Sequence, residues 1–132
     1  MIEEGSRVHI ASNMLDGGDR LLDAGCAQGD LYNLTKTKYA EIYGVDIDTN
    51  ALKEAKRKGY LVTKVDLNRE TLPFKDSSFD AVACLDVIEH LMNPRHLLKE
   101  IYRVLKKEGE LVISTPNVQW LYHLLRLNVD KV

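Results

Sequence analysis

The segment Leu21-Leu-Asp-Ala-Gly-Cys-Ala-Gln-Gly29 is the most informative part of this sequence. Residues 20–24 are predicted to form a short strand, residues 25–29 a tight loop and residues 30–37 a helix. Gly25 permits unusual backbone angles, and Gly29 lets backbone approach a ligand without an intervening Cβ atom. The N–H groups of the helix would face the same crevice. The segment therefore predicts a ligand cradle, although a plain strand-to-helix turn would explain the two glycines as well.

Short apolar runs alternate with amphipathic stretches along the rest of the chain, which is typical of a parallel sheet covered by helices. Further strands are predicted at residues 41–46, 61–65, 80–85 and 110–114. Helices are predicted at residues 6–15, 50–58, 94–106 and 116–128, the third with Asn93 as N-cap and Pro94 at its first position. Right-handed crossovers give a doubly wound, mainly parallel α/β sheet of Rossmann-like type with the strand order 3-2-1-4-5. A ligand should lie at the carboxyl ends of strands 1 and 4, where the order reverses.

The composition indicates one ordinary globular domain over residues 1–132. Hydrophobic residues make up 45% and charged residues 29%, and the net charge is −2. This balance argues against disorder and provides no overall basic field for nucleic acid. No signal peptide and no apolar run of about 20 residues is visible, so we expect a cytoplasmic protein without a membrane segment. Cys26 and Cys84 are expected to be reduced thiols, and no His/Cys cluster indicates a metal.

The glycine spacing and one acid narrow the class of ligand. A dinucleotide site requires G-x-G-x-x-G, which the pair Gly25 and Gly29 does not provide. Asp23, at the end of the first strand, would repel a pyrophosphate but suits a ligand that carries an ammonium group and a sulfonium. A nicotinamide dehydrogenase is therefore disfavoured.

Four ordered motifs resemble those of class I S-adenosylmethionine-dependent methyltransferases. Residues 21–29 resemble motif I, residues 44–48 the second-strand acid, residues 80–91 the fourth-strand motif, and residues 98–117 the helix and fifth strand that follow. The Glu-His after the fourth strand and the Ser-Thr-Pro-Asn after the fifth are similar to the ubiquinone-biosynthesis type of small-molecule methyltransferase. The resemblance implies S-adenosyl-L-methionine as cofactor and an acceptor that the sequence does not identify. Ala27 stands where the family often has glycine, which we expect to weaken binding at most.

The resemblance and the strand ends together indicate the contacts to the nucleoside. Asp46 would accept hydrogen bonds from both ribose hydroxyls, unless it is only an exposed acid at a strand end. Ile47 would pack against an adenine face. The resemblance implies that Asp66 accepts from the adenine amino group and that the Leu67 N–H donates to a ring nitrogen.

The methionine end of the cofactor would lie at the end of the fourth strand. Backbone carbonyls of Cys84 and Leu85 would face the ammonium group, and Asp86 would shape the pocket. The complete set of predicted cofactor-binding residues is Asp23, Gly25, Cys26, Gly29, Asp46, Ile47, Asp66, Leu67, Cys84, Leu85 and Asp86.

Glu89 and His90 are the candidate catalytic residues. Methyl transfer from a sulfonium is an in-line displacement, and alignment can supply about 7–11 kcal/mol of the acceleration. A base is required only if the acceptor must lose a proton, and these two residues follow the fourth strand near the switch point. His90 is explained equally well as a helix-start residue bonded to backbone.

The C-terminal region leaves alternatives open. Class I methyltransferases usually carry a sixth and a seventh strand, which the sequence does not predict here. The chain is then a trimmed piece, a naturally short protein, or a non-catalytic module that keeps the cofactor site. Leu111-Val-Ile113 would lie near an open apolar edge, covered by the helix at 116–128 or by a second subunit. A homodimer through the strand-5 edge or the C-terminal helix is therefore our hypothesis for a protein partner.

Overall fold

The computed structural model describes residues 6–116 and 122–128, which form a six-stranded sheet flanked by helices. The strands are Gly18–Ala24 (β1), Tyr39–Asp46 (β2), Leu61–Lys64 (β3), Phe79–Leu85 (β4), Leu105–Pro116 (β5) and Tyr122–Asn128 (β6). The helices are Arg7–Met14 (α1), Tyr32–Thr35 (α2), Thr49–Lys58 (α3) and Pro94–Val104 (α4), with a 3-10 turn at Ile88–His90. The sheet has the order β3-β2-β1-β4-β5-β6, in which only β6 is antiparallel to its neighbour.

The five parallel strands confirm the predicted doubly wound order 3-2-1-4-5. Asp23 of β1 lies opposite Gly44 of β2 on one side and opposite Ala83 of β4 on the other. The carboxyl ends of these three strands therefore meet at one edge of the sheet. That edge is where the order reverses and where open α/β sheets bind ligands.

The C-terminal prediction is wrong in one respect. A helix was expected over residues 116–128 and no sixth strand, but Tyr122–Asn128 is a strand that pairs with β5 from Glu110↔Asn128 to Pro116↔Tyr122. A short apolar run fits either structure by its pattern alone, and the open edge of β5 offers hydrogen bonds that a strand can satisfy. The β5 edge is therefore paired within the chain, so an edge contact between two chains would have to use β6. The apolar side chains Trp120 and Leu121 lie outside the described residues.

Two helices are shorter than predicted. Helix α2 covers only Tyr32–Thr35, and α4 ends at Val104 because the chain enters β5 at Leu105, which pairs with Phe79. Helix α3 begins at Thr49 with Asp48 as its N-cap, because the Asp48 side chain accepts hydrogen bonds from the N–H groups of Asn50 and Ala51.

The sheet separates two layers of core. Leu22 packs on the side of α4 with Ile101, whereas its neighbour Leu21 packs on the other side with Leu52 of α3. This division follows from the period of two along a strand. Among the described residues, no helix has both the length and the apolar character needed to cross a bilayer.

Candidate functional site

A cleft of about 630 Å³ opens at the carboxyl ends of the central strands. This volume lies within the range of roughly 300–1,000 Å³ that is usual for small-molecule sites. The predicted site residues that line the cleft are Gly25, Asp46, Ile47, Asp66, Leu67, Leu85, Asp86 and His90. The structure adds six lining residues that the sequence did not indicate as contacts: Arg7, Ala27, Val65, Asn68, Val87 and Leu91.

The remaining predicted residues lie beneath or beside the cleft rather than on its wall. Asp23, Cys26 and Cys84 are buried. Gly29 packs against Ala55 of α3. Glu89 accepts a hydrogen bond from the Thr115 hydroxyl of β5 at 3.2 Å. These residues can support the cleft, but their side chains do not line it.

Gly25 shapes the floor of the cleft at the end of β1. Its φ is +79°, and a Cβ atom there would lie less than 3.0 Å from Cγ2 of Val87. Its N–H donates to the Val45 carbonyl at 2.8 Å, so the loop is tied to β2. A residue with a side chain would therefore meet both backbone strain and a clash.

Ala27 adopts the left-handed conformation that glycine prefers. Its φ is +47°, a geometry that disfavours a non-glycine residue by about 1–2 kcal/mol. Its N–H donates to Oδ2 of Asp46 at 2.9 Å, and this bond helps to hold the loop. The alanine methyl thus lines the cleft at the cost of local strain.

The Asp46 carboxylate is held in place in the cleft by backbone hydrogen bonds to both of its oxygens. Its Oδ2 accepts from the Ala27 N–H and its Oδ1 accepts from the Asp48 N–H at 3.0 Å. An ionised carboxylate has about four acceptor positions, so each oxygen keeps capacity for another donor. Ile47, beside it, is 57% exposed and presents an apolar surface. A polar acceptor next to an apolar wall suits a ribose joined to a base.

The turn after β3 forms a second wall. Asp66 accepts from the Asn68 N–H at 3.0 Å, and the Asn68 side-chain oxygen accepts from the Met92 N–H at 2.8 Å. Asn68 therefore ties the turn after β3 to the segment after β4. In the sequence, Asn68 is marked only by its position two residues after Asp66.

An ion pair lies at the other end of the cleft. The Nε of Arg7, on α1, pairs with Oδ2 of Asp86. Asp86 has a φ of +57°. Its N–H donates to the Ser114 hydroxyl at 3.0 Å, and that hydroxyl donates to Oδ1 of Asp86 at 3.1 Å. The carboxylate is therefore oriented from β5, and α1 places a guanidinium against it. Arg7 lies far from the glycine-rich loop in sequence, which is why motif reading did not find it.

The two candidate catalytic residues differ in environment. The His90 side chain is 77% exposed and lines the cleft, whereas the Glu89 side chain turns toward β5. Nε2 of His90 and Oε1 of Glu89 are 3.9 Å apart. The backbone N–H of His90 donates to the Val87 carbonyl at 3.0 Å.

Buried groups under the cleft titrate away from their ordinary ranges. Burial raises the pKa of Asp23 to about 7, against a lowering hydrogen bond from the Tyr60 hydroxyl. Burial likewise raises the pKa of Cys84 to about 12, so this thiol stays protonated and is a weak nucleophile. Burial also raises the pKa of Cys26. Within the described part of the chain, no group of three or more His, Cys, Asp or Glu side chains is placed to hold a metal ion.

Comparison with known proteins identifies what the chain resembles. Residues 22–113 match a family model described as a methyltransferase domain. An uncharacterized protein of Methanocaldococcus jannaschii is 44% identical over 97 residues, which cover 74% of this chain and 40% of that protein. A ubiquinone biosynthesis O-methyltransferase of Idiomarina loihiensis is 32% identical over 118 residues, which cover 84% of this chain and 49% of that enzyme.

A solved structure agrees with these sequence relatives. The crystal structure of an S-adenosylmethionine-dependent methyltransferase from Archaeoglobus fulgidus superposes with a TM-score of 0.74 at 30% identity. The match covers 86% of this chain and 52% of that one. The chain thus spans about half, or less, of the length of the proteins that it matches.

Proposed function

Because the chain belongs to the methyltransferase domain family, we propose that it binds S-adenosyl-L-methionine in the cleft and transfers the methyl group to a small-molecule acceptor. The observation that carries the proposal is the Asp46 carboxylate, fixed by two backbone N–H groups beside a cavity of about 630 Å³. The net charge of −2 favours a small acceptor over a nucleic acid.

The nucleoside would be held at the ends of β2 and β3. Asp46 would accept from the ribose hydroxyls, because both its oxygens are oriented and keep acceptor capacity. Ile47 and Leu67 offer apolar surface to the adenine, and both line the cleft. Asp66, in the same wall, would accept from the adenine amino group.

The amino-acid end would be held at the opposite side of the cleft. The guanidinium of Arg7 is suited to a carboxylate, and the Asp86 carboxylate to an ammonium. In the structure these two groups pair with each other. A zwitterionic ligand end carries a carboxylate for Arg7 and an ammonium group for Asp86. The two residues could therefore separate and bind the ligand without leaving either charge unpaired. The carbonyl groups of Cys84 and Leu85 would add acceptors for the ammonium.

Methyl transfer requires of the protein mainly that it align the cofactor and the acceptor. When bound, the cofactor supplies an activated methyl group on a sulfonium. The cleft residues would orient both reactants, which is the effect that can contribute most to such a displacement. His90 lines the cleft and would take a proton from an acceptor that must lose one.

The proposal is tested by calorimetry with S-adenosylhomocysteine, followed by methyl-transfer assays on a panel of small oxygen, nitrogen and carbon acceptors. Binding of S-adenosylhomocysteine with micromolar affinity, together with no binding of a nicotinamide dinucleotide, is the expected result. If neither S-adenosylmethionine nor its product binds the folded protein, the proposal is wrong.

A second candidate is a cofactor-binding module that needs a partner for activity. Glu89 accepts a hydrogen bond from Thr115 and the His90 side chain is 77% exposed, so neither of the two candidate bases is enclosed in the cleft. Assays with and without cell extract separate the two candidates. Turnover by the purified chain supports the enzyme, whereas cofactor binding with turnover only in the presence of extract supports the module.

A further inference from the structure

Tyr60 joins the end of α3 to the central strands beneath the cleft. Its ring covers Gly44 of β2 so closely that a Cβ atom there would lie less than 3.0 Å from Cδ2. Its hydroxyl donates to Oδ2 of Asp23, on the neighbouring strand, at 2.5 Å. The ring therefore occupies a place that only a glycine in β2 leaves open, and it brings a hydroxyl group to the acid of β1.

The same tyrosine also supports the glycine-rich loop. A Cβ atom at Gly29 would be 3.5 Å from Cε1 of Tyr60. The thiol of Cys26 shares the space over Gly44 with the ring. Tyr60 is 2% exposed, and its N–H is fixed to the Ala55 carbonyl at 3.2 Å. Its position is thus tied both to the loop and to the acid.

The surroundings of the Asp23 carboxyl disfavour its charged form. Asp23 is 4% exposed. The titratable groups that face it from the packed elements are Tyr60, Asp46, Asp30, Cys26 and Cys84. Within the described residues this set holds two further carboxyl groups and no cation, although Asp30 itself pairs with Lys58 at 3.4 Å. A cation bound near the end of β1 would therefore lower the pKa of Asp23 and favour its ionised form.

We propose that Tyr60 is a positioning residue that holds the buried Asp23 beneath the cleft as a proton-linked counter-charge. Asp86 and the carbonyl groups of Cys84 and Leu85 would contact the cofactor's ammonium group, and its charge would act on Asp23 through space, so that cofactor binding releases the Asp23 proton to solvent. The inference rests on the proposed function, because it requires a cationic ligand in the cleft. The pKa of Asp23, raised by burial to about 7, places this exchange near neutral pH. The Tyr60 hydroxyl stays protonated, since burial raises its pKa as well.

The first test measures the proton directly. S-adenosylhomocysteine is titrated into the wild-type protein at about pH 6.5, in two buffers with different ionisation enthalpies. The buffer dependence should show release of a substantial fraction of a proton. Methylthioadenosine, which has the same nucleoside but no amino-acid end, should bind without release. Asp23→Asn should bind S-adenosylhomocysteine without release.

The second test isolates the tyrosine. The hydroxyl donates to the charged carboxylate and so lowers its pKa; Tyr60→Phe should shift the midpoint of the affinity–pH profile upward by about one unit. Tyr39→Phe is the matched control. Tyr39 is 4% exposed, and its hydroxyl accepts from the Gly17 N–H at 3.1 Å, at the other end of the sheet. A purely structural role for Tyr60 would change the affinity equally at every pH.

The outcomes separate this inference from the proposed function. Binding of S-adenosylhomocysteine with a flat profile from about pH 5.5 to 7.5 and no proton release overturns the inference and leaves the proposed function intact. Failure of the ligand to bind at any pH overturns both. The wild-type buffer experiment, together with Asp23→Asn, decides the proton release even if the tyrosine variant does not fold.

Discussion

The two ends of the sheet use the same residue type for different purposes. At the amino end, Oδ2 of Asp80 accepts from the N–H groups of Asp19 and Arg20, and Oδ1 accepts from Lys106. At the carboxyl end, Asp46 accepts one backbone N–H on each oxygen. The pocket beside Asp80 has about 220 Å³, against about 630 Å³ beside Asp46. An acid at a strand end thus becomes a candidate ligand contact when a large cavity adjoins it and its acceptors are incompletely used.

The largest expected effect distinguishes two left-handed glycines at opposite ends of β1. Gly25→Val should reduce S-adenosylhomocysteine affinity at least about 100-fold, or ~2.7 kcal/mol, because the side chain strains the loop and collides with Val87. Gly17→Val is the control, since its φ of +98° is equally unfavourable but it lies at the amino end. Calorimetry on the folded fraction of each variant gives the comparison. Equal losses of affinity in both would contradict it.

The pH dependence of stability should have opposite signs at the two ends. Burial raises the pKa of Asp23 to about 7, so the stability it contributes is complete below its ordinary pKa of 3.8 and is lost as the pH rises through about 7. Burial raises the pKa of Asp80, but hydrogen bonds from Arg20 and Lys106 outweigh this and lower it. The stability from Asp80 is therefore present above its ordinary pKa and lost in acid.

Denaturant unfolding across the pH range checks these signs. Asp23→Asn should flatten the loss of stability toward pH 8, an effect of a few kcal/mol at about 1.4 kcal/mol per pKa unit. Asp80→Asn should instead flatten the acid limb. A wild-type protein whose stability rises steadily from pH 5 to pH 8 and is unchanged by Asp23→Asn would contradict the buried carboxyl.

Substitutions of Asp46 and Asp80, the two strand-end acids, should differ in their effect on ligand affinity. Asp46→Ala should weaken S-adenosylhomocysteine binding by about 1–3 kcal/mol, the scale of hydrogen bonds to a charged group. Asp80→Ala should lower the free energy of unfolding and leave the dissociation constant unchanged. Unchanged affinity in Asp46→Ala would remove this residue from the site.

The smallest expected effect concerns the ion pair at the cleft. Arg7→Met should weaken S-adenosylhomocysteine binding about 5- to 10-fold, or ~1–1.4 kcal/mol, because the Arg7 side chain is 42% exposed and solvent screens it. Methylthioadenosine, which lacks the carboxylate, should bind equally well to both proteins. Arg57→Met, which removes an exposed helix-surface partner of Glu54, is the matched control. An equal loss for both ligands would assign Arg7 a structural role only.

Sequence reasoning succeeded where a local pattern determines the structure. The strand order, the family and the resemblance to ubiquinone-biosynthesis methyltransferases are confirmed. The left-handed glycine at position 25 follows from local chemistry as well. The roles of the individual site residues stay predictions, and so do the cytoplasmic location and the homodimer.

Sequence reasoning failed where the structure depends on distant partners. The run Tyr122–Asn128 has the apolar content of a helix face, but the open edge of β5 recruits it as a strand. Arg7 reaches the cleft through its ion pair with Asp86, which brings together residues far apart in the sequence. These arrangements depend on contacts between residues far apart in the sequence, so no local sequence pattern indicates them.

The most direct test of the proposed cofactor site is a crystal structure of this chain with S-adenosylhomocysteine. We expect the ribose hydroxyls on the Asp46 carboxylate, the adenine between Ile47 and Leu67, and the amino-acid end between Arg7 and Asp86. A ligand bound elsewhere, or a cleft closed by side chains at saturating ligand, would contradict it.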